Sequence, residues 1–266
     1  MPKCERGPII GETIVTSHHS IELSLEPTQE LIPLPPSLWW LLLPLGLLAA
    51  AVAALSVDLP LARWCLQGRC PQPLPSLVQL AEPFGNGMGV LLIALVIYQL
   101  DPGRRWALPR VLCCALLAGL AADGIKLLVV RVRPHEFDLA SLAHNVWTTF
   151  GGWFPLTSAQ SAGQSFPSAH TATAVGFALA LGWLYPKGRW LFPLLAGLVA
   201  CQRINEGAHY LSDTLCGAAV GSSVALLLLR FSPVARWFAR WEGRWGTGAN
   251  EGFRVQDTGS GSCAEG

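Results

Sequence analysis

Six long apolar runs, separated by short polar segments, constrain this chain more than any other feature. They span about residues 38–57, 83–100, 108–130, 171–185, 190–203 and 211–229. A helix needs about 20 apolar residues to cross a hydrocarbon core about 30 Å thick. The fourth and fifth runs are short and must borrow flanking residues. Spanning backbone has to satisfy its own hydrogen bonds, so helices are the default. A barrel would need alternating apolar and polar positions, whereas these runs are continuous. The expected fold is all-α, a polytopic membrane bundle of six transmembrane helices.

Composition agrees. Only 13% of the 266 residues are charged and 52% are hydrophobic, with a mean hydropathy of +0.42. Soluble domains carry about 25% charged residues. Disorder, a coiled coil and an ordinary cytosolic enzyme are therefore excluded. A net charge of +1 leaves no basic excess for nucleic acid. Trp39, Trp40, Trp106, Trp183 and Trp190 sit at the edges of apolar runs, where indole suits a headgroup layer.

The flanks divide the chain into three parts. Residues 1–36 are polar, with five glutamates and prolines at 27, 33, 35 and 36. They read as a flexible cytoplasmic tail, with no secretory signal pattern. Residues 37–230 hold the six-helix membrane domain. In residues 231–266, Trp237, Trp241 and Trp245 recur every fourth position beside Arg236, Arg240 and Arg244. At 3.6 residues per turn these sets make adjacent stripes, as on an interfacial amphipathic helix. A disordered basic tail is the alternative there, and disorder is expected from Gly246 onward.

Basic residues orient the bundle. With the N-terminus in the cytoplasm, twelve of the eighteen Lys and Arg residues fall inside, both termini included. Arg63, Arg69, Arg131, Arg133 and Arg203 fall outside, and Lys126 lies near the outer end of the third helix. Cys65 and Cys70 share an outer polar loop, where either a disulfide or two thiols is compatible. No Cys/His cluster has zinc spacing.

Polar residues beside membrane helices are expensive and mark function. They concentrate in three outward-facing places. Lys126 and Arg133 are seven residues apart, two helical turns, so both are expected on one helical face ahead of Pro134. Two cations there suit a doubly charged anion. Asp123 is the expected ion-pair partner of Lys126. Ser168, Ala169 and His170 open the fourth helix, whose first amides lack intrahelical acceptors and favour negative charge. His209 and Asp213 are four apart beside Arg203. One helical turn would let the carboxylate accept from one ring nitrogen and free the other as nucleophile or base.

In this order the three fragments resemble the signature of the type 2 phosphatidic acid phosphatase family: K-x6-R-P, then P-S-G-H, then S-R-x5-H-x3-D. Ala169 stands for the glycine and Gln202 for the serine. The resemblance implies the family's helical core, which shares its phosphate pocket with vanadium haloperoxidases. It implies that His209 attacks phosphorus, oriented by Asp213, to give a phosphohistidine. His170 would protonate the leaving oxygen and then activate water. Lys126, Arg133, Ser168, Ala169 and Arg203 would bind the phosphate oxygens. No metal or other cofactor is implied.

The implied substrate is a lipid carrying a phosphate or pyrophosphate: phosphatidic acid, phosphatidylglycerol phosphate, undecaprenyl pyrophosphate or a lipid A phosphate. Residues 133–166, with Trp147, Phe150, Trp153 and Phe154, are the expected lid over its tail. The absence of Asn-x-Ser/Thr sequons favours a bacterial inner membrane, with the site facing the periplasm. A lipid phosphotransferase using the same histidine, and a non-catalytic lipid transporter or scaffold, stay open at this point. Glu206 has no assigned role.

Overall fold

The computed structural model describes residues 39–67, 78–139, 141, 145–153 and 163–244. The first apolar run forms helix α1 (Trp39–Ala54) and the second forms α4 (Gly87–Leu100). The third forms α5 (Leu108–Lys126), and the fourth and fifth form α6 (Ala169–Leu184) and α7 (Leu191–Asn205). The sixth forms α8 (Leu211–Leu226), which ends in a π turn at Leu227–Phe231. Two short helices, α2 (Asp58–Leu66) and α3 (Glu82–Gly85), lie between α1 and α4 in the chain. Residues 233–244 form a final helix, α9.

Among the described residues, two helices are long and apolar enough to cross a membrane, Pro102–Lys126 and Leu211–Phe231. A third candidate is the pair Leu41–Ala54 and Asp58–Leu66, bent by 75° at its break. The other three apolar helices are shorter.

Helix α6 is the centre of the bundle, packed against α5, α7 and α8. Its sequence makes this possible. Ala172, Ala174, Gly176, Ala178 and Ala180 leave little side chain between backbones, the pattern that lets helices approach closely where no water drives them together. Phe177 stacks on Phe84 of α3, with ring centroids 4.9 Å apart. Val111 and Cys114 of α5 and Val199 of α7 close the same core. Gly217 of α8 lies so close to α6 that a Cβ there would stand 2.3 Å from the Ser168 carbonyl oxygen. This crossing sets the start of α6 against the start of α8.

One expectation fails at the end of the third run. Helix α5 stops at Lys126, and the chain turns into a short strand, β1 (Val129–Arg131). It pairs antiparallel with β2 (Phe150–Trp153), with a register irregularity between Val130 and Arg131. Val129 and Val130 are β-branched and suit a pleated ribbon better than a helix terminus. Among the described residues the fold is therefore helical with one two-stranded ribbon. Lys126 and Arg133 do not share a helical face, because only Lys126 is helical.

Candidate active site

The charged residues of the three fragments gather at one end of the bundle. Lys126 closes α5, Ser168 caps α6, Arg203 lies in the last turn of α7 and Asp213 in the first turn of α8. His209 sits in the turn between α7 and α8. That turn depends on Gly207, whose φ of +66° is a conformation L side chains rarely adopt. The Gly207 carbonyl accepts from the main-chain N–H of His135 at 3.1 Å and from its Nδ1 at 2.8 Å. The segment after β1 is thereby tied to the histidine turn.

His209 is buried, and its Nδ1 lies 2.6 Å from the main-chain carbonyl oxygen of Ser165. A carbonyl only accepts, so Nδ1 carries the proton and Nε2 keeps its lone pair. Burial pushes the His209 pKa well below the usual imidazole value. The positive charges of Lys126, Arg133 and Arg203 act in the same direction, against the opposing bond to Ser165. The ring is held neutral, with one nitrogen free, in a positive field. That is the state a nucleophile needs.

Asp213 does not pair with His209 as the spacing suggested. Its Oδ2 accepts from the Ser165 hydroxyl at 2.6 Å and from the Tyr210 main-chain N–H at 2.9 Å. Its Oδ1 pairs with Arg131. The reason is local: accepting from Tyr210 N–H folds the carboxylate back over the first turn of α8, toward Ser165 and Arg131. Serine, not histidine, is its neighbour.

Ser168 acts as an N-cap, accepting from Thr171 N–H at 3.4 Å, and its hydroxyl also accepts from Thr171 Oγ1 at 3.0 Å. The first-turn amides of Ala169 and His170 have no acceptor within the helix. Lys126 pairs with Asp123 at 2.9 Å, as expected. Arg203 pairs with Glu206. Buried Nε atoms of both Arg133 and Arg203 have no hydrogen-bond partner among the described residues. Orphaned guanidinium donors beside a neutral histidine fit an anion with several acceptor oxygens.

Gln202, where the family pattern has serine, is fully buried. Its Nε2 donates to Glu82 at 3.2 Å and to Glu206 at 3.0 Å. This gives Glu206 two partners that its sequence position alone did not suggest, and brings α3 to the site through Glu82.

The largest omission from the sequence reading is Arg131, there a simple outer cation. It is fully buried against the rings of Phe150 and Tyr210, 4.6 and 4.2 Å from their centroids. Its Nη2 donates to Asp58 at 2.7 Å, its Nη1 to Ser212 at 2.7 Å, and its Nε to Thr149 at 3.1 Å. Burial works against its charge, but Asp213 and Asp58 outweigh it, so Arg131 holds its proton more tightly than an ordinary arginine. Removing one partner of such a buried pair costs about 3–5 kcal/mol. The available signal was Asp58, an acid inside the apolar stretch Val57–Leu61.

An apolar groove of about 520 Å3 opens beside this end of the bundle. Leu48, Val52 and Leu55 of α1 form one wall, and Trp147, Phe150 and Phe166 form the other. Of the expected lid residues, Trp147 and Phe150 are here. The Trp153 side chain and Phe154 lie outside the described residues, as does Cys70, so the Cys65–Cys70 question does too.

Residues 107–237 match the model of the PAP2 superfamily. The lipid A 1-phosphatase of Rhizobium johnstonii is 27% identical over 215 residues, covering 74% of this chain and 82% of that one. The undecaprenyl-diphosphatase of Bacillus subtilis is 28% identical over 151 residues, covering 56% and 69%. Among solved structures, a PAP2 type phosphatidylglycerolphosphate phosphatase from Bacillus subtilis aligns with a TM-score of 0.46 and 22% identity, covering 73% and 94%. Lys126, Arg133, His170, Arg203, His209 and Asp213 all fall within the matched segment. Through that segment the chain is similar to the PAP2 superfamily.

Proposed function

We propose that this protein is an integral membrane lipid phosphatase working through a phosphohistidine on His209. The observation that carries the reading is the buried, neutral His209 ring, with Nδ1 fixed by Ser165 and Nε2 free. In the proposed reaction Nε2 attacks phosphorus in line and the bond to the leaving oxygen breaks. His170 gives that oxygen its proton. His170 then takes a proton from water, whose oxygen attacks phosphorus and releases His209 and inorganic phosphate. Lys126, Arg133, Arg203 and the amides of Ala169 and His170 hold the equatorial oxygens, with Ser168 shaping that helix start. Asp213 orients His209 indirectly.

In this reading α1 with its bent partner α2, and helices α4 to α8, make six passes. The excess of Lys and Arg at the opposite end of the bundle supports a site at the periplasmic face of a bacterial inner membrane with both termini in the cytoplasm. The groove beside α1 takes a hydrocarbon chain of the substrate. Lipid A phosphates are the first substrates to test, since the Rhizobium johnstonii relative is matched over most of its length.

The test is phosphate release in detergent micelles without added metal. The lipids are a lipid A phosphate, undecaprenyl pyrophosphate, phosphatidylglycerol phosphate and phosphatidic acid. Wild type is expected to release phosphate from at least one of them. His209→Ala should lose at least about 1000-fold, as removal of a covalent nucleophile does. Release by folded His209→Ala at the wild-type rate would refute the mechanism. Silence of the folded wild type on every lipid would favour phosphotransfer or a non-catalytic role.

A further inference from the structure

Arg131, Asp58 and the Ser165 hydroxyl have no part in the reaction as written above, yet they converge on its nucleophile. Ser165 is fully buried and touches His209 and Asp213 with two different groups: its carbonyl oxygen accepts from His209 Nδ1 at 2.6 Å, and its hydroxyl donates to Asp213 at 2.6 Å. Its main-chain N–H donates to the Arg131 carbonyl oxygen at 3.0 Å. The Arg131 side chain then returns to Asp213 through Nη1. Serine and arginine are thus linked twice, once through backbone and once through the carboxylate.

Arg131 cannot serve as another phosphate ligand. Four of its five N–H donors are engaged by Thr149, Ser212, Asp213 and Asp58, and the rings of Phe150 and Tyr210 lie against its guanidinium. Asp58 is held in turn. It accepts from the Ser212 main-chain N–H at 3.0 Å and from the Ser212 hydroxyl. The network therefore ties α2, the ribbon and the first turn of α8 to one carbonyl oxygen.

We propose that Ser165 and Arg131, the latter held by Asp58 and joined to Ser165 through Asp213, are positioning residues that fix the His209 imidazole in the orientation its attack requires. The inference rests on His209 being the nucleophile. A planar, bidentate cation is needed, because one rigid fork must reach Asp58 and Asp213 together. A lysine ammonium is a single point charge and cannot bridge them in that geometry. Displacing an attacking atom by about 1 Å is enough to cost about 100-fold in rate.

Ser165→Ala and Arg131→Lys, singly and combined, are assayed on the lipid that wild type hydrolyses, with melting temperatures taken in the same detergent. Each single variant should lower kcat about 10–100-fold while KM stays within about twofold, since no phosphate contact is removed. The double variant should be little worse than the poorer single one, because both cut one chain of contacts. If Ser165→Ala does not fold, Asp58→Asn carries the same test from the far end of the network.

Wild-type kcat in a folded Ser165→Ala would overturn the proposal. So would a loss expressed in KM alone, or losses that multiply in the double variant. His209→Ala is run beside them. Its retained activity would sink the nucleophile assignment itself, a result separable from failure of the relay.

Discussion

At the residue scale the site turns on one imidazole whose surroundings all disfavour its charge except the Ser165 carbonyl. Because burial lowers the folded-state pKa of His209, the unfolded chain binds the extra proton first as pH falls. The stabilising contribution of the neutral ring is complete above the ordinary histidine value. It diminishes as pH drops below about 6.5. An NMR titration of His209 in detergent should show the ring still neutral well below pH 6.5. In Lys126→Met one of the charges that depresses it is gone, so its midpoint should move upward. A midpoint unchanged by that substitution would mean that Lys126 does not act on the ring.

At the scale of elements, the groove between α1 and the ribbon has a wall of Leu48, Val52 and Leu55 that shares its opening with Phe166, the neighbour of Ser165. Leu48 and Val52 are 47% and 64% exposed on α1, so a larger side chain there is tolerated. Val52→Trp should fill the groove. KM for a long-chain lipid phosphate should rise about tenfold, the equivalent of about 1.4 kcal/mol. Hydrolysis of a short-chain, water-soluble phosphate should be unaffected. Equal effects on both would show that the groove does not hold the chain. The ribbon itself was hidden in the sequence, because the apolar run 108–130 continues through Val129 and Val130 without a break. Only pairing with β2, some 20 residues on, made those valines a strand, and such pairing leaves no local periodic mark.

At the scale of the whole molecule the far end of the bundle has its own anchor. Arg110 of α5 pairs with Glu242 of α9 at 2.9 Å and also donates to the Ala235 carbonyl oxygen at 3.0 Å. Ala235, Phe238 and Glu242 form the buried face of α9, while Arg236, Arg240 and Trp237 are exposed. Residues 233–244 thus form a helix with one buried and one exposed face. Its inner face carries a buried acid that the stripe argument did not include. Burial raises the Glu242 pKa to about 7, against the pull of Arg110. The folded state thus binds this proton more tightly than the unfolded chain. The associated stability is full below about pH 4.5 and is lost as pH rises through about 7. Hydrogen exchange in α9 should accelerate between pH 6 and 8 beyond the intrinsic pH effect. In Glu242→Gln that extra acceleration should vanish. If both proteins exchange alike, the Glu242 proton does not govern docking of the helix.

The sequence by itself determined where the helices lie, because apolar runs of this length have few other ways to satisfy their backbone. It also determined which charged residues flank their ends, and so the candidate phosphate ligands and the histidine. Asp123 with Lys126 was legible because an i, i+3 pair is a local relation. Tertiary structure alone decided what holds the histidine. Asp213 stands four residues from His209, the spacing of a direct bond, yet it turns to Ser165 and Arg131, 48 and 82 residues away in the chain. Asp58 reaches Arg131 across 73 residues. A buried carboxylate takes the partners that best compensate its lost water, and which partners are within reach depends on how α2, α6, α8 and the ribbon meet. Spacing along one helix carries no information about that meeting.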